Sequence, residues 1–264
     1  MSIGAFSQKK NDLISNKGKV FLYWGWNRGF YSDSDITFKG NDYDFTLNKA
    51  TASDKPTPFS FDKYLNPANM TIPQTNYRIG YFFKENYTIS LGVDHMKYVL
   101  DQGQQASITG EIDPVYAPHD GVYNGELKEI TDDFIQFEHT DGLNYICIEV
   151  NRFDNISPFL GIHSKNFQIN VTEGLGAGAL LPRTNATLLG NERHDEFHLA
   201  GFGVSAQVGL DFTFFKYFFI MSELKGGYIN MGDIRTTQSK SDTASQSFWY
   251  VEPTFVFGGR FRLF

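Results

Sequence analysis

The sequence predicts an all-β fold, a closed antiparallel transmembrane β-barrel of about ten strands, with eight or twelve as the alternatives. Three observations carry that prediction. The first is the terminal stretch Phe248–Phe264, FWYVEPTFVFGGRFRLF. In it Trp249, Val251, Pro253, Phe255, Phe257, Phe261 and Leu263 alternate with Glu252, Thr254, Arg260 and Arg262. A side-chain period of two sends the first set to one face and the second to the other. The second is that the same alternation recurs along the chain, while helical i, i+3, i+4 spacing is weak. The third is an aromatic content of 16%, with 26 Phe and 14 Tyr, which suits aromatic girdles at two membrane interfaces.

The strands follow in order. In Lys19–Tyr31, Val20, Leu22, Trp24 and Trp26 oppose Tyr23, Gly25, Asn27 and Gly29. Ser34–Leu47 reads as one strand or as two around Gly40-Asn41-Asp42, and this leaves the count at ten with eight and twelve as alternatives. Asn76–Lys84 sets Tyr77, Ile79, Tyr81 and Phe83 against Arg78 and Gly80. Tyr87–Leu100 sets Ile89, Leu91 and Val93 against Thr88, Ser90, Gly92 and Asp94. Leu143–Arg152 sets Ile146, Ile148 and Val150 against Tyr145, Cys147 and Glu149. Phe167–Leu181, Phe197–Thr213 and Tyr217–Asp233 alternate in the same way. The turns at Lys84-Glu85-Asn86 and Thr213–Lys216 are short, whereas Thr51–Ile72, Asp101–Thr131 and Thr184–His194 read as long polar loops. Outer-membrane barrels pair short periplasmic turns with long external loops.

Composition narrows the function classes. At 264 residues the chain makes one domain. Its mean hydropathy is −0.33, and it contains no run of about 18 apolar residues, so no transmembrane helix is expected. Barrels escape that test because lipid-facing and lumen-facing residues alternate. Cys147 is the single cysteine, which rules out an internal disulfide. The net charge is −7 without a basic block, so nucleic acid is not an expected partner. Ala5-Phe6-Ser7 has the small-residue spacing of a signal-peptidase site. Residues 1–7 therefore read as a signal-peptide remnant, 8–17 as a periplasmic segment and 18–264 as the barrel.

Two sets of residues carry candidate chemistry. Arg78, Asp94, Glu149, Glu223, Lys225, Glu252 and Arg260 all lie on polar strand faces. Such charges need partners or water, and a barrel lumen supplies both. The expected arrangement is an ionic network that fills the lumen; the sharper reading is a solute path. The second set is His95 with Asp94, and His139 with Glu138 and Asp141, which are the residue types of a lipid-acting hydrolase. The parity of His95 puts it on the apolar face near headgroup level, while Thr140-Asp141-Gly142 makes His139 a loop or rim residue. Metal and cofactor are not expected: the histidines lack HxH or HExxH spacing, and His194 and His198 sit four apart on a strand. Gly174–Gly178 lacks a nucleotide-binding context, so its glycines read as room for a lumen side chain.

Five stretches carry a family resemblance: Tyr23–Arg28 (YWGWNR), Phe38–Leu47 (FKGNDYDFTL), Asp94–Val99 (DHMKYV), Glu138–Tyr145 (EHTDGLNY) and Glu223–Ile229 (ELKGGYI). The chain resembles a family of outer-membrane β-barrel proteins of Bacteroidota over most of Tyr23–Ile234. The resemblance implies a barrel in a Gram-negative outer membrane and supplies no catalytic residues. Phe264 departs from the family's closing signature, because it shares the parity of Arg260 and Arg262. The expected role is a structural or accessory subunit of an envelope complex, in contact with outer-membrane lipid, lipopolysaccharide and other outer-membrane or periplasmic proteins. The alternatives are the hydrolase, acting on lipid A or phospholipid, and a narrow pore.

Overall fold

The computed structural model describes residues 15–69 and 72–262. The expectations for residues 1–7, for most of 8–17 and for Phe264 lie outside the described residues.

Eight strands form a ring. They are β1 (Lys19–Asn27), β2 (Thr75–Lys84), β3 (Tyr87–Met96), β4 (Leu143–Asn155), β5 (Phe167–Leu180), β6 (Gly201–Phe214), β7 (Phe218–Arg235) and β8 (Thr243–Arg262). Each pairs antiparallel with the next. β8 then pairs back onto β1, from Lys19↔Arg262 to Asn27↔Thr254. These are the eight segments that alternate clearly in the sequence. The ring thus has eight strands, one of the alternatives to the expected ten, because Ser34–Leu47 does not join it. It forms two strands, Ser34–Lys39 and Tyr43–Ala50, turned at Gly40–Asp42 and stacked beyond the ring on the upper part of β8.

The two faces of the ring differ as the alternation requires. Leu22, Ile79, Leu91, Ile148, Val150, Val204, Val208, Leu224 and Phe255 point outward and stay exposed. Arg78, Asp94, Glu149, Lys225, Glu252 and Arg260 point inward and are buried. One end of the ring carries the short turns and the Lys19–Arg262 pairing. There Ser15 Oγ and the Asn16 amide donate to the Glu85 carboxylate.

The other end carries a folded cap. The segments read as polar loops contain strands, which corrects that expectation. Asp101–Thr131 holds Gln105–Ile112 and Gly121–Glu129, and Thr184–His194 overlaps Arg183–Leu188. The strand Ser34–Lys39 extends the sheet from β8, followed by Tyr43–Ala50, Gln105–Ile112 and Gly121–Glu129. A second sheet runs His194–Phe197, Arg183–Leu188, Ile135–Glu138, Val99–Leu100 and Ala52–Ser53. Apolar rings bridge the two sheets: Phe38 stacks on Phe45 at 5.3 Å and meets Phe137 edge-on at 5.4 Å. Ile36, Leu47, Ile108, Ile135 and Leu188 complete the fully or almost fully buried layer. The main hydrophobic core thus lies above the ring and reaches its mouth through Tyr145, Phe248 and Tyr250.

Candidate functional site

The lumen is filled in layers. Nearest the short turns, Arg260 pairs with Asp211 through two guanidinium nitrogens, at 2.5 and 3.2 Å, and donates to Thr213 Oγ1 at 2.7 Å. Its guanidinium lies 4.3 Å from the Phe219 ring centre, 5.1 Å from Phe153 and 5.6 Å from Phe82. An arginine can do this because its planar cation stacks on rings while its edge binds a carboxylate.

The middle layer is ionic. Arg78 on β2 donates to Asp94 on β3 at 3.0 Å and to Glu149 on β4 at 2.5 and 3.1 Å. Lys225, reaching across from β7, donates to the same two carboxylates at 2.6 and 2.7 Å. Asn76 bridges Asp94 to Glu252 on β8, at 2.6 and 2.7 Å. Four side chains from four strands therefore form one alternating square of charge. Glu223 is buried on the same face, and no ion pair to it is formed among the described residues. Arg260 belongs to the separate Asp211 layer, so the single network expected from the sequence divides in two. Asp211 was not singled out, although its parity with Gln207 and Ser205 was legible.

Small residues make room for these groups. Gly176 on β5 faces Glu149 and Ser205, and a β-carbon there would crowd both side chains. Asp94, Cys147 and Glu149 converge within 4.8 Å, a spacing that suits a cation. Arg78 and Lys225 supply the positive charge at that spot, so the donor set is already neutralised.

The histidines fall elsewhere. Asp94 and His95 are neighbours on β3 and point to opposite faces. His95 has outward parity but is covered, and its Nδ1 lies 2.8 Å from Asn144 Oδ1. Its Nε2 is buried without a hydrogen bond. His139 is fully buried within the cap, which corrects its reading as a rim residue. It extends the buried alternation of Ile135 and Phe137, and that signal was present in the sequence. Its Nδ1 lies 3.0 Å from Thr184 Oγ1 and its Nε2 3.1 Å from the Gln246 amide. Burial lowers the imidazole pKa to about 3. Glu138 points away and accepts from Lys55 and Thr140, both at 2.9 Å. Asp141 accepts from Asn185 at 3.2 Å. Neither histidine is hydrogen-bonded to a carboxylate among the described residues, so the five hydrolase candidates do not assemble into a triad. His194 and His198 contact Glu196 and Asp233 respectively.

No family model and no curated protein matches the chain. Among solved structures it is similar to the outer membrane protein OprG from Pseudomonas aeruginosa, at 10% identity and a TM-score of 0.42, over 94% of this chain and 97% of that one. It is similar to Ail, the attachment invasion locus protein of Yersinia pestis, at 11% identity and a TM-score of 0.34, over 93% and 99%. A third likeness is to the N-terminal beta-barrel domain of Pseudomonas aeruginosa OprF, at 9% identity and a TM-score of 0.31, over 93% and 98%.

Proposed function

We propose that the chain is an outer-membrane β-barrel of a Gram-negative bacterium, from the Bacteroidota family that its motifs resemble. It acts as a plugged anchor that carries a folded module at the cell surface, as a structural or accessory subunit of an envelope complex. The observation that carries this reading is a closed ring with an apolar outer wall and an ion-paired, filled lumen. Only helices and closed barrels satisfy every backbone group in lipid, and β8 pairing with β1 leaves the ring without an edge. An eight-stranded barrel has an interior just wide enough for side chains, which supports a plug over a pore. The short turns, with the Lys19–Arg262 pairing beside them, lie on the periplasmic side. The cap faces out, in contact with lipopolysaccharide or an envelope protein.

Reconstitution in planar bilayers tests the plug: a silent trace is expected, and stepwise conductance would overturn it. Mild-detergent pull-down from native membranes tests the subunit role. Co-purification of a second envelope protein is expected, and recovery as a lone chain counts against it. Incubation with lipid A or phospholipid addresses the hydrolase alternative; a product that disappears in His95→Ala or His139→Ala would replace the anchor reading.

A further inference from the structure

The segment from Asp54 to Gln74 leaves the cap and returns to β2. It contains a short helix, α1 (Phe61–Leu65). The described part of this loop is internally tied. Ser60 Oγ accepts from the Lys63 amide at 3.2 Å and caps α1. Tyr64 Oη donates to the Thr57 carbonyl at 2.7 Å. Lys97 clamps the base, donating to Thr57 Oγ1 at 3.0 Å and to the Ile72 carbonyl at 2.9 Å. Asp62 accepts from Asn66 and Asn69, both at 2.9 Å.

This ordered loop turns its apolar side chains outward. Phe59 is 69% exposed, Phe61 73%, Leu65 49% and Ile72 42%. An exposed cluster of large apolar groups on a well-bonded loop is the informative exception to ordinary burial. Its location says what covers it. Tyr64 packs against Trp26 at 5.8 Å and against Phe59 at 5.2 Å, and Phe59 meets Phe61 at 5.4 Å. Trp26 in turn packs on Trp24 at 5.2 Å and on Phe257 at 5.9 Å. Trp24, Trp26 and Phe257 have the outward parity of Leu22 and Phe255 on the ring wall. The apolar surface of the loop is therefore continuous with that wall, at the upper ends of β1 and β2. Aromatic side chains at this height belong to the belt where acyl chains meet headgroups.

We infer that the loop is a lipid-binding foot: Phe59, Phe61 and Leu65 insert into the outer leaflet beside β1, while Asp62, Asn66 and Asn69 remain at the headgroup surface. The foot rests on the membrane-spanning reading of the ring. It attaches the cap to the bilayer at a second point, outside the barrel, and thereby sets the tilt of the cap over the membrane.

Nitroxide labels test the foot and the reading beneath it separately. Cys147 is buried, so single introduced cysteines take the label selectively. Phe61→Cys, Phe59→Cys, Leu91→Cys on the ring wall and Val122→Cys on the cap are reconstituted in phosphatidylcholine–phosphatidylglycerol vesicles. Power saturation compares collision with oxygen, which concentrates in lipid, against a water-soluble nickel chelate. The oxygen-to-nickel ratio at residue 61 is expected to exceed that at 122 several-fold and to lie below that at 91, as befits a side chain at the acyl–headgroup boundary. A water-like ratio at 61 beside a lipid-like ratio at 91 would overturn the foot alone. A water-like ratio at 91 would overturn the membrane-spanning reading itself. The Phe59→Cys label gives an independent measurement on the same loop should Phe61→Cys fail to fold.

Discussion

Arg78 and Glu149 meet inside the ring as a two-point ion pair, with guanidinium nitrogens 2.5 and 3.1 Å from the two carboxylate oxygens. Both side chains are almost fully buried, and Lys225 binds the same carboxylate at 2.7 Å. Truncating one partner strands a buried charge, so Arg78→Met or Glu149→Gln is expected to cost about 3–5 kcal/mol. The double variant should cost less than the sum of the two, because neither charge is then left alone. Urea unfolding in detergent measures the cycle, and simple additivity would argue against direct coupling.

Arg260 tests whether guanidinium shape matters. Its cation faces Phe219 at 4.3 Å while its edge binds Asp211. Arg260→Lys keeps the charge but loses the fork and the stacking, with an expected loss of about 2 kcal/mol. Arg260→Met leaves the Asp211 carboxylate buried and should cost more, about 3–5 kcal/mol. Adding Asp211→Asn should recover part of that loss. The heat-dependent gel shift of the folded barrel reads the order; equal stability of Lys and Arg variants would discount the stacking.

His139 gives the cap a pH dependence. Burial puts its folded pKa at about 3, below the ordinary value of about 6.5. Between those two values the unfolded chain binds the extra proton, so stability rises with pH. The contribution is complete above about pH 6.5 and is lost progressively as pH falls toward 3. At about pH 4.5 the expected loss is about 3 kcal/mol. His139→Gln should flatten that part of the profile. Limited proteolysis of the cap at pH 7 and pH 4.5 measures it, and an unchanged profile in the variant would remove His139 as the cause.

Gly80 marks a close approach. It faces the lumen on β2, and a β-carbon there would overlap the Phe21 ring. Gly80→Val should therefore prevent formation of the compact gel band, while Gly80→Val with Phe21→Ala should restore a fraction of it. Normal folding of Gly80→Val alone would show that the ring yields easily.

The ring was legible because alternation is local. Each of the eight strands places its own faces, whatever it pairs with, and β8 kept the parity read from it: Trp249, Val251 and Phe255 out, Glu252, Thr254 and Arg260 in. The upper half of β8 shows the limit of that reading. Phe248 and Tyr250 share the inward parity of Glu252, yet they enter the apolar core of the cap. In the cap, Ser34–Leu47 was legible as strand around Gly40–Asp42 but not as lying outside the ring. The strands within Asp101–Thr131 were hidden because they are short and bounded by Asp, Gln and Gly, so turn residues outweighed the alternation of Ala106 with Ile108. The cap's contacts are also distant in sequence, as where Phe38 meets Phe137.

The candidate site divides along the same line. The sequence alone determined which charges face inward, because a period of two needs no partner. Only the tertiary structure decided that Arg78, Asp94, Glu149 and Lys225 form one cluster while Arg260 joins Asp211. Membership depends on strand register and on which side chains meet across the closed lumen. The same holds for the histidines. Parity turned His95 away from Asp94, but covering His95 and burying His139 took segments folded in from elsewhere in the chain. Facing is a property of one strand, whereas company is a property of the closed ring and its cap.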